Sequence, residues 1–284
     1  MKKNIMLLIL AVLMPLSAMA QGQKPVVIEL WPNGAPSDNG LRGEEIDYVT
    51  HVSNVTVPTL TIYPAANPNG KAILACPGGG YVDVWALTEG HQMAEWMNSQ
   101  GITYAVLKYR LPNGHKDIPL EDVYRAMDIL HERQAELGFN MLGIQGNSAG
   151  GHLASTAATH FDCPEHRPDF QILYYPVITF DPKYTHAGSA HHLIGDNAPQ
   201  ELIDYYSNEK QVKEDTPRAL IFHCTDDGLV PVQNSVNYYL ALLEKGVSAS
   251  LHIYSTGGHG FAFGDGYLYK RQWTEEVEKW LRSF

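Results

Sequence analysis

Ser148 stands in the run Gly146-Asn147-Ser148-Ala149-Gly150, after the apolar residues 141–144 and before the alanine-rich stretch 152–159. A serine hydroxyl is a weak nucleophile at neutral pH until a base within hydrogen-bond reach takes its proton and an acid orients that base. The spacing suits such a serine. A nucleophile on a sharp strand-to-helix turn sits in crowded backbone, which favours glycine two positions before and two after it. The turn lifts the hydroxyl out of the sheet and sets the Ala149 N–H at a helix N-terminus, where a developing oxyanion can be held. G-x-S-x-G is short and also occurs as a plain glycine turn, so the weight falls on the partners. An aspartate follows in Thr225-Asp226-Asp227-Gly228-Leu229-Val230-Pro231, and a histidine follows in Gly257-Gly258-His259-Gly260-Phe261. Upstream, Pro77-Gly78-Gly79-Gly80-Tyr81 carries three glycines that free the backbone to turn N–H groups toward a ligand.

These residues need a frame. Residues 26–30, 46–52 and 59–63 are β-like and separated by Pro, Asn and Gly, the pattern of antiparallel strands at a sheet edge. Apolar strands are expected at 72–76, 102–109, 141–145, 170–175, 220–224 and 249–254. Between them come helices at about 89–99, at 120–137 with Leu120, Val123, Met127 and Leu130 inward, and at 232–245, which Gly246 ends. The 232–245 helix groups Val232, Val236, Tyr239, Leu240 and Leu243 on one side, and a last helix at about 272–281 buries Trp273, Val277 and Trp280. Strand–helix alternation of this kind predicts an α/β fold with a central, mostly parallel sheet flanked by helices. Residues 177–216 are less regular, with a short helix near 201–206, and are expected to form a small cap or insertion over the site.

The chain has 284 residues and a formal charge of −11. Residues 1–20 read as a secretory signal: Lys2 and Lys3, an apolar run at 6–14, and Ala18-Met19-Ala20 before a cut at Gln21. Removing them takes two positive charges, so the mature chain 21–284 carries −13 (−11 minus 2). The expectation is an exported chain, periplasmic or secreted, free of the membrane after cleavage, with one domain over 21–284. An acidic chain is a poor binder of nucleic acid through phosphate contacts. Of three cysteines, Cys76, Cys163 and Cys224, at least one must stay free or pair between chains, and Cys76 and Cys224 read as buried, inert thiols. His186, His191 and His192 lack recognised metal-ligand spacing and read as solvated or substrate-lining. No metal or cofactor is implied.

The order Ser, Asp, His is that of the α/β-hydrolases, and here a specific resemblance begins. Cys76-Pro77-Gly78-Gly79-Gly80-Tyr81, Leu107-Lys108-Tyr109-Arg110-Leu111-Pro112, the stretch from Gly146 to Leu153, the Asp226-Asp227 loop and the His259 loop together resemble the acetyl xylan esterase-like group, related to esterases and lipases of the hormone-sensitive lipase type. The resemblance implies Ser148 as nucleophile, His259 as base, Asp227 as acid, and an oxyanion hole from Gly79 or Gly80 with Ala149. Asp226 competes with Asp227; the family's acid stands four residues before the proline of the Val-Pro pair, which selects Asp227. His152 is read as packing. Pro77 stands where the lipase-type motif has histidine, so the glycine loop must be anchored differently. An acylated carbohydrate is the implied substrate, acetylated xylan first, and Tyr81 and Trp85 are candidates to stack on sugar rings. A feruloyl esterase is the nearest rival. A general carboxylesterase, lipase or peptidase is more distant, with chain length against a prolyl-type peptidase because these usually carry an added domain. A non-catalytic binding protein is the rival from another class. Oligomeric state is left open.

Overall fold

The computed structural model describes residues 24–261 and 263–284, so the signal assigned to 1–20 lies outside the described residues. Eleven strands are found there: β1 Val26–Glu29, β2 Ile46–Asp47, β3 Val52–Ser53, β4 Thr59–Tyr63, β5 Gly70–Cys76, β6 Asp83–Val84, β7 Thr103–Lys108, β8 Phe139–Asn147, β9 Phe170–Tyr174, β10 Arg218–Cys224 and β11 Ala249–Tyr254. The helices are α1 Ala86–Glu89, α2 Ala94–Ser99, α3 Ile118–Glu132, α4 Gln134–Leu137, α5 Ser148–His160, α6 Ala187–Ile194, α7 Gln200–Tyr205, α8 Gln233–Glu244 and α9 Lys270–Leu281. No helix among the described residues is long and apolar enough to cross a membrane.

Eight strands form one sheet in the order β1-β4-β7-β5-β8-β9-β10-β11. β4 runs antiparallel to both neighbours, and every pairing from β7 to β11 is parallel. β5, β8 and β9 are almost wholly buried, as apolar strands covered by helices on both faces must be. The carboxyl ends of β5, β8 and β10 lead into the glycine loop, the Ser148 turn and the Asp227 loop, so one end of the sheet gathers the site.

Several elements depart from the sequence expectation. The 46–52 strand is a tight hairpin. Val49 takes φ 70°, Asp47 accepts the Val49 N–H, and β2 and β3 pair with β6 in a separate antiparallel sheet. The 89–99 helix is broken at Gly90, where a Cβ would come within 2.6 Å of Val106 on β7. The 120–137 helix breaks at Arg133, leaving α4 as a final turn closed by Gly138 at φ 68°. On α8 the buried face is Asn234, Ser235, Tyr238 and Leu242, while Leu240 and Leu243 are exposed. The pattern misled because α8 buries polar groups for their bonds: Asn234 Oδ1 accepts the N–H groups of Ile178 and Thr179. α9 turns Trp273, Val277 and Leu281 inward, and Trp280 packs at the edge of the core. α6 lies in the stretch expected to be irregular; only Ser189 and Leu193 of its eight residues are buried, too sparse a stripe to mark a helix in sequence.

Arg110 follows β7 and is clamped to α3. Its guanidinium and backbone N–H both donate to Asp122, which also accepts from Trp31 Nε1 at 2.7 Å. The two side chains are 4% and 0% exposed. Removing one partner strands the other charge in the core, so Arg110→Ala should destabilise the fold by roughly 3–5 kcal/mol. The double variant Arg110→Met with Asp122→Leu should recover only part of that loss in urea denaturation, because Trp31 Nε1–H and the backbone N–H of residue 110 then lose their acceptor.

Candidate active site

Ser148 is the first residue of α5 and takes φ 53°, a left-handed conformation rare outside glycine. The crowding foreseen around it is severe. A Cβ on Gly146 would lie 2.2 Å from the Gly150 carbonyl oxygen, and one on Gly150 would lie 2.0 Å from that of Cys76. His259 Nε2 lies 2.8 Å from Ser148 Oγ, and His259 Nδ1 lies 2.7 Å from Asp227 Oδ2. The carboxylate requires Nδ1 to carry the ring proton, which leaves Nε2 as acceptor for the serine proton.

Asp227 is the acid that meets the histidine. Burial opposes its charge, but hydrogen bonds from His223 and His259 outweigh that and hold the carboxyl well below the usual carboxylate range. Its Oδ1 accepts the N–H groups of Leu229 and Val230, each at 2.9 Å. His223, fully buried, lies 3.2 Å from Oδ2 and is fixed by Ser235 and the Val230 carbonyl. Asp226 does something different. It accepts from Thr256 Oγ1, Gly257 N and Gly258 N and so pins the loop that carries His259.

The glycine loop stands beside Ser148. Gly79 and Gly80 line the same cavity, and Ala149 is buried in the first turn of α5. The loop's carbonyls are engaged elsewhere: Gly78 O accepts from Trp85 N, Gly79 O from Val82 N and Asp83 N, and Gly80 O from His192 Nδ1. Glu89 supplies an anchor that Pro77 cannot. It accepts Gly78 N–H at 2.6 Å and the Tyr175 hydroxyl at 3.0 Å, while Tyr109 donates to Pro77 O. Burial raises the Glu89 carboxyl against the pull of those two donors. Tyr175, at φ 37°, also takes a bond from Asn147 and packs edge-on against His259 at 4.8 Å. The sequence reading missed Glu89, Tyr175 and His223. No local motif marks them; the only available signal was the need for some other loop anchor.

The cavity holds about 530 Å³ and is lined by Ser148, His259, Gly79, Gly80, Glu89, Trp85, Val82, Leu229, His186 and His192 among others. A larger cleft of about 710 Å³ near Tyr63 and His91 contains none of the candidate residues. Trp85 is on the rim, 38% exposed, with one face stacked on His51 at 4.6 Å. Tyr81 must be withdrawn as a sugar-stacking residue. Its ring is buried, and its hydroxyl is bonded to His152 Nδ1 at 2.9 Å. His152 itself is a strut: Nε2 meets Tyr206 O at 2.8 Å, and Phe180 stacks on the ring. Of the cap histidines, His191 points outward and pairs with Asp196. The three cysteines are unpaired, and burial pushes the Cys76 and Cys224 thiols up, away from reactivity.

A serine on a strand-to-helix turn of a mostly parallel eight-stranded sheet, hydrogen-bonded to a histidine and through it to an aspartate from later loops, defines an α/β-hydrolase. Residues 88–284 match the prolyl oligopeptidase family, and the chain belongs to it. It is 41% identical over 223 residues to an acetylxylan esterase of Xylanibacter ruminicola, spanning 76% of this chain and 46% of that protein. It is 36% identical over 236 residues to endo-1,4-beta-xylanase B of Butyrivibrio fibrisolvens, spanning 76% of this chain and 36% of that protein. The chain thus spans less than half the length of each of these relatives. Among solved structures, an acetyl ester-xyloside bifunctional hydrolase from Caldicellulosiruptor lactoaceticus aligns with a TM-score of 0.77 and 35% identity over 91% of this chain and 96% of that one.

Two measurements follow from this geometry. Asp227→Asn should lower ester turnover by about 10⁴-fold, because the amide favours the wrong imidazole tautomer. Asp226→Asn, which only loosens the His259 loop, should cost no more than about tenfold; equal losses in steady-state kinetics would overturn this division of labour. Burial also pushes His152 down to about 4 from 6.5. It therefore holds its proton more weakly in the folded than in the unfolded chain. Its contribution is complete above about pH 6.5 and lost as pH falls to 4, about 3 kcal/mol in total, and urea denaturation of a His152→Gln variant should lack this dependence.

Proposed function

We propose that this protein is an exported serine esterase that removes acyl groups, acetyl above all, from plant cell-wall polysaccharide such as xylan. The observation that carries the reading is the unbroken hydrogen-bonded chain from Ser148 Oγ through His259 to Asp227 Oδ2 at the wall of an accessible cavity. His259 takes the Ser148 proton as the oxygen attacks the ester carbonyl. The N–H groups of Gly79 or Gly80 and Ala149 receive the oxyanion, a contribution of about a hundredfold to a thousandfold per donor. His259 then protonates the departing sugar hydroxyl, and water, activated in turn by His259, releases the acid and restores Ser148. Asp227 keeps the imidazole oriented and stabilises its charged form. No step calls on a metal or cofactor.

The choice of substrate is supported by the kinship with an acetylxylan esterase and by the likeness to an acetyl ester-xyloside hydrolase. Export is supported by the basic start, apolar run and Ala18-Met19-Ala20 of the sequence. Trp85, with a covered and a cavity-side face, is the residue proposed to meet a sugar ring.

Acetate release from acetylated xylan is the direct test, with Ser148→Ala beside the wild type. Release by the first chain only is the expected outcome. Cleavage of 4-nitrophenyl acetate without release from xylan would keep the mechanism and remove the substrate, and feruloylated arabinoxylan would be the next substrate. Failure of a serine-reactive phosphonate to label the wild type would favour a non-catalytic binding protein.

A further inference from the structure

His186 and His192, on the segment between β9 and β10, both line the Ser148 cavity, and their surroundings fix which nitrogen carries each proton. His186 Nδ1 accepts the backbone N–H of Ser189 at 3.3 Å, a group that can only donate, and meets Ser189 Oγ at 2.8 Å. The neutral ring therefore carries its proton on Nε2. Burial lowers the proton affinity of His186 and favours that neutral form, with His259 and His192 adding to the effect. His192 is the reverse case. Its Nδ1 lies 2.9 Å from the Gly80 carbonyl, which can only accept, so Nδ1 holds the proton and Nε2 of the neutral ring is an acceptor.

The two outer nitrogens, an N–H donor on His186 and a lone pair on His192, have no hydrogen-bond partner among the described residues. Both rings are held in place, His186 as the N-cap of α6 and His192 through the glycine loop. Other parts of the cavity lining are apolar: Val82, Trp85 and Leu229. A ligand that suits this lining has a flat, C–H-rich face for the apolar side and an edge of hydroxyl groups for the histidines. An alkyl or aromatic acyl chain would offer neither nitrogen a partner, whereas a sugar edge would satisfy both.

We infer that His186 and His192 form a hydroxyl-reading pair that recognises the sugar ring bearing the scissile ester. His186 Nε2–H donates to one free hydroxyl oxygen of that ring, and His192 Nε2 accepts a hydroxyl proton of the same ring. The inference rests on the proposed carbohydrate-ester reading and narrows it. The favoured substrate is a partly acylated pyranose whose neighbouring hydroxyls are free, and a fully acylated ring is processed poorly until one group has gone.

The test compares methyl 3-O-acetyl-β-xylopyranoside with its 2,4-di-O-methyl ether, using 4-nitrophenyl acetate as a small-ester reference. Wild type should prefer the free-hydroxyl sugar in kcat/KM by about tenfold or more, the scale of one or two hydrogen bonds in a closed site. His186→Phe, of similar size but with no donor, should cut that ratio severalfold, chiefly through KM, leaving the part that His192 reads. His186→Gln, which restores an N–H donor, should recover most of the lost preference. A ratio unchanged by His186→Phe, even if both rates fall together, would overturn the inference, since general loosening of the site lowers both substrates alike. If wild type cleaves 4-nitrophenyl acetate but neither sugar ester, the carbohydrate reading itself has failed. If it cleaves both sugar esters equally, the reading stands and the hydroxyl pair does not.

Discussion

The left-handed backbone at Ser148 can be held only if three separate segments close on it. β8 must end and α5 must begin within one residue, with Gly146 against Gly150 and Gly150 against the end of β5. The same packing brings the glycine loop so near that a Cβ on Gly78 would lie 2.9 Å from Ser148 Cβ and 2.6 Å from Glu89 Oε2. A conformation of this kind costs on the order of 1–3 kcal/mol and persists because the surrounding structure over-determines it. Here the parallel pairings of β8 with β5 and β9 fix the strand end of the turn, and the close approach of Gly150 to Cys76 and of Gly151 to Pro176 fixes its helix end.

Around that turn the polar groups form struts that reach beyond the reacting atoms. Glu89 ties the glycine loop to Tyr175, and Tyr175 leans on both Asn147 and the His259 ring. His152 joins Tyr81, at the end of the glycine loop, to Tyr206 in the cap. Asn208 of the cap donates into α5 at His152 O and Ser155 Oγ. The segment between β9 and β10 is therefore fastened to the helix that Ser148 begins and to the glycine loop, and the cavity between them has a set shape. Buried polar networks of this kind are favourable when their members are paired; Asn147 Oδ1 is the exception here, buried with no partner among the described residues.

The two aspartates illustrate how one loop divides its labour. Adjacent in sequence, they face different partners: Asp227 is buried against two histidines, and Asp226 stays at the surface and holds three donors of the 256–258 segment. The first sets the tautomer of His259, and the second sets where its loop lies. Neither arrangement survives a shift of one residue, because consecutive side chains leave the loop in different directions.

Much of this was legible in the chain alone. Apolar runs of strand length alternating with amphipathic helices determined the mostly parallel sheet, because burial periodicity is a local property of sequence. The glycines around Ser148 and His259 marked the places where backbone approaches backbone, and the order of Ser148, the aspartate pair and His259 determined the type of site. Other features depended on contacts between distant segments. The inward face of α8 was settled by the bonds of Asn234 to residues 178 and 179, which outweigh the apolar stripe. Tyr81, an aromatic beside the site in sequence, turned inward because His152 offered its hydroxyl a partner. Glu89, Tyr175 and His223 became parts of the site only when strands far apart in the chain were laid side by side. Partner choice among polar groups is a property of the packed structure, and sequence spacing carries no record of it.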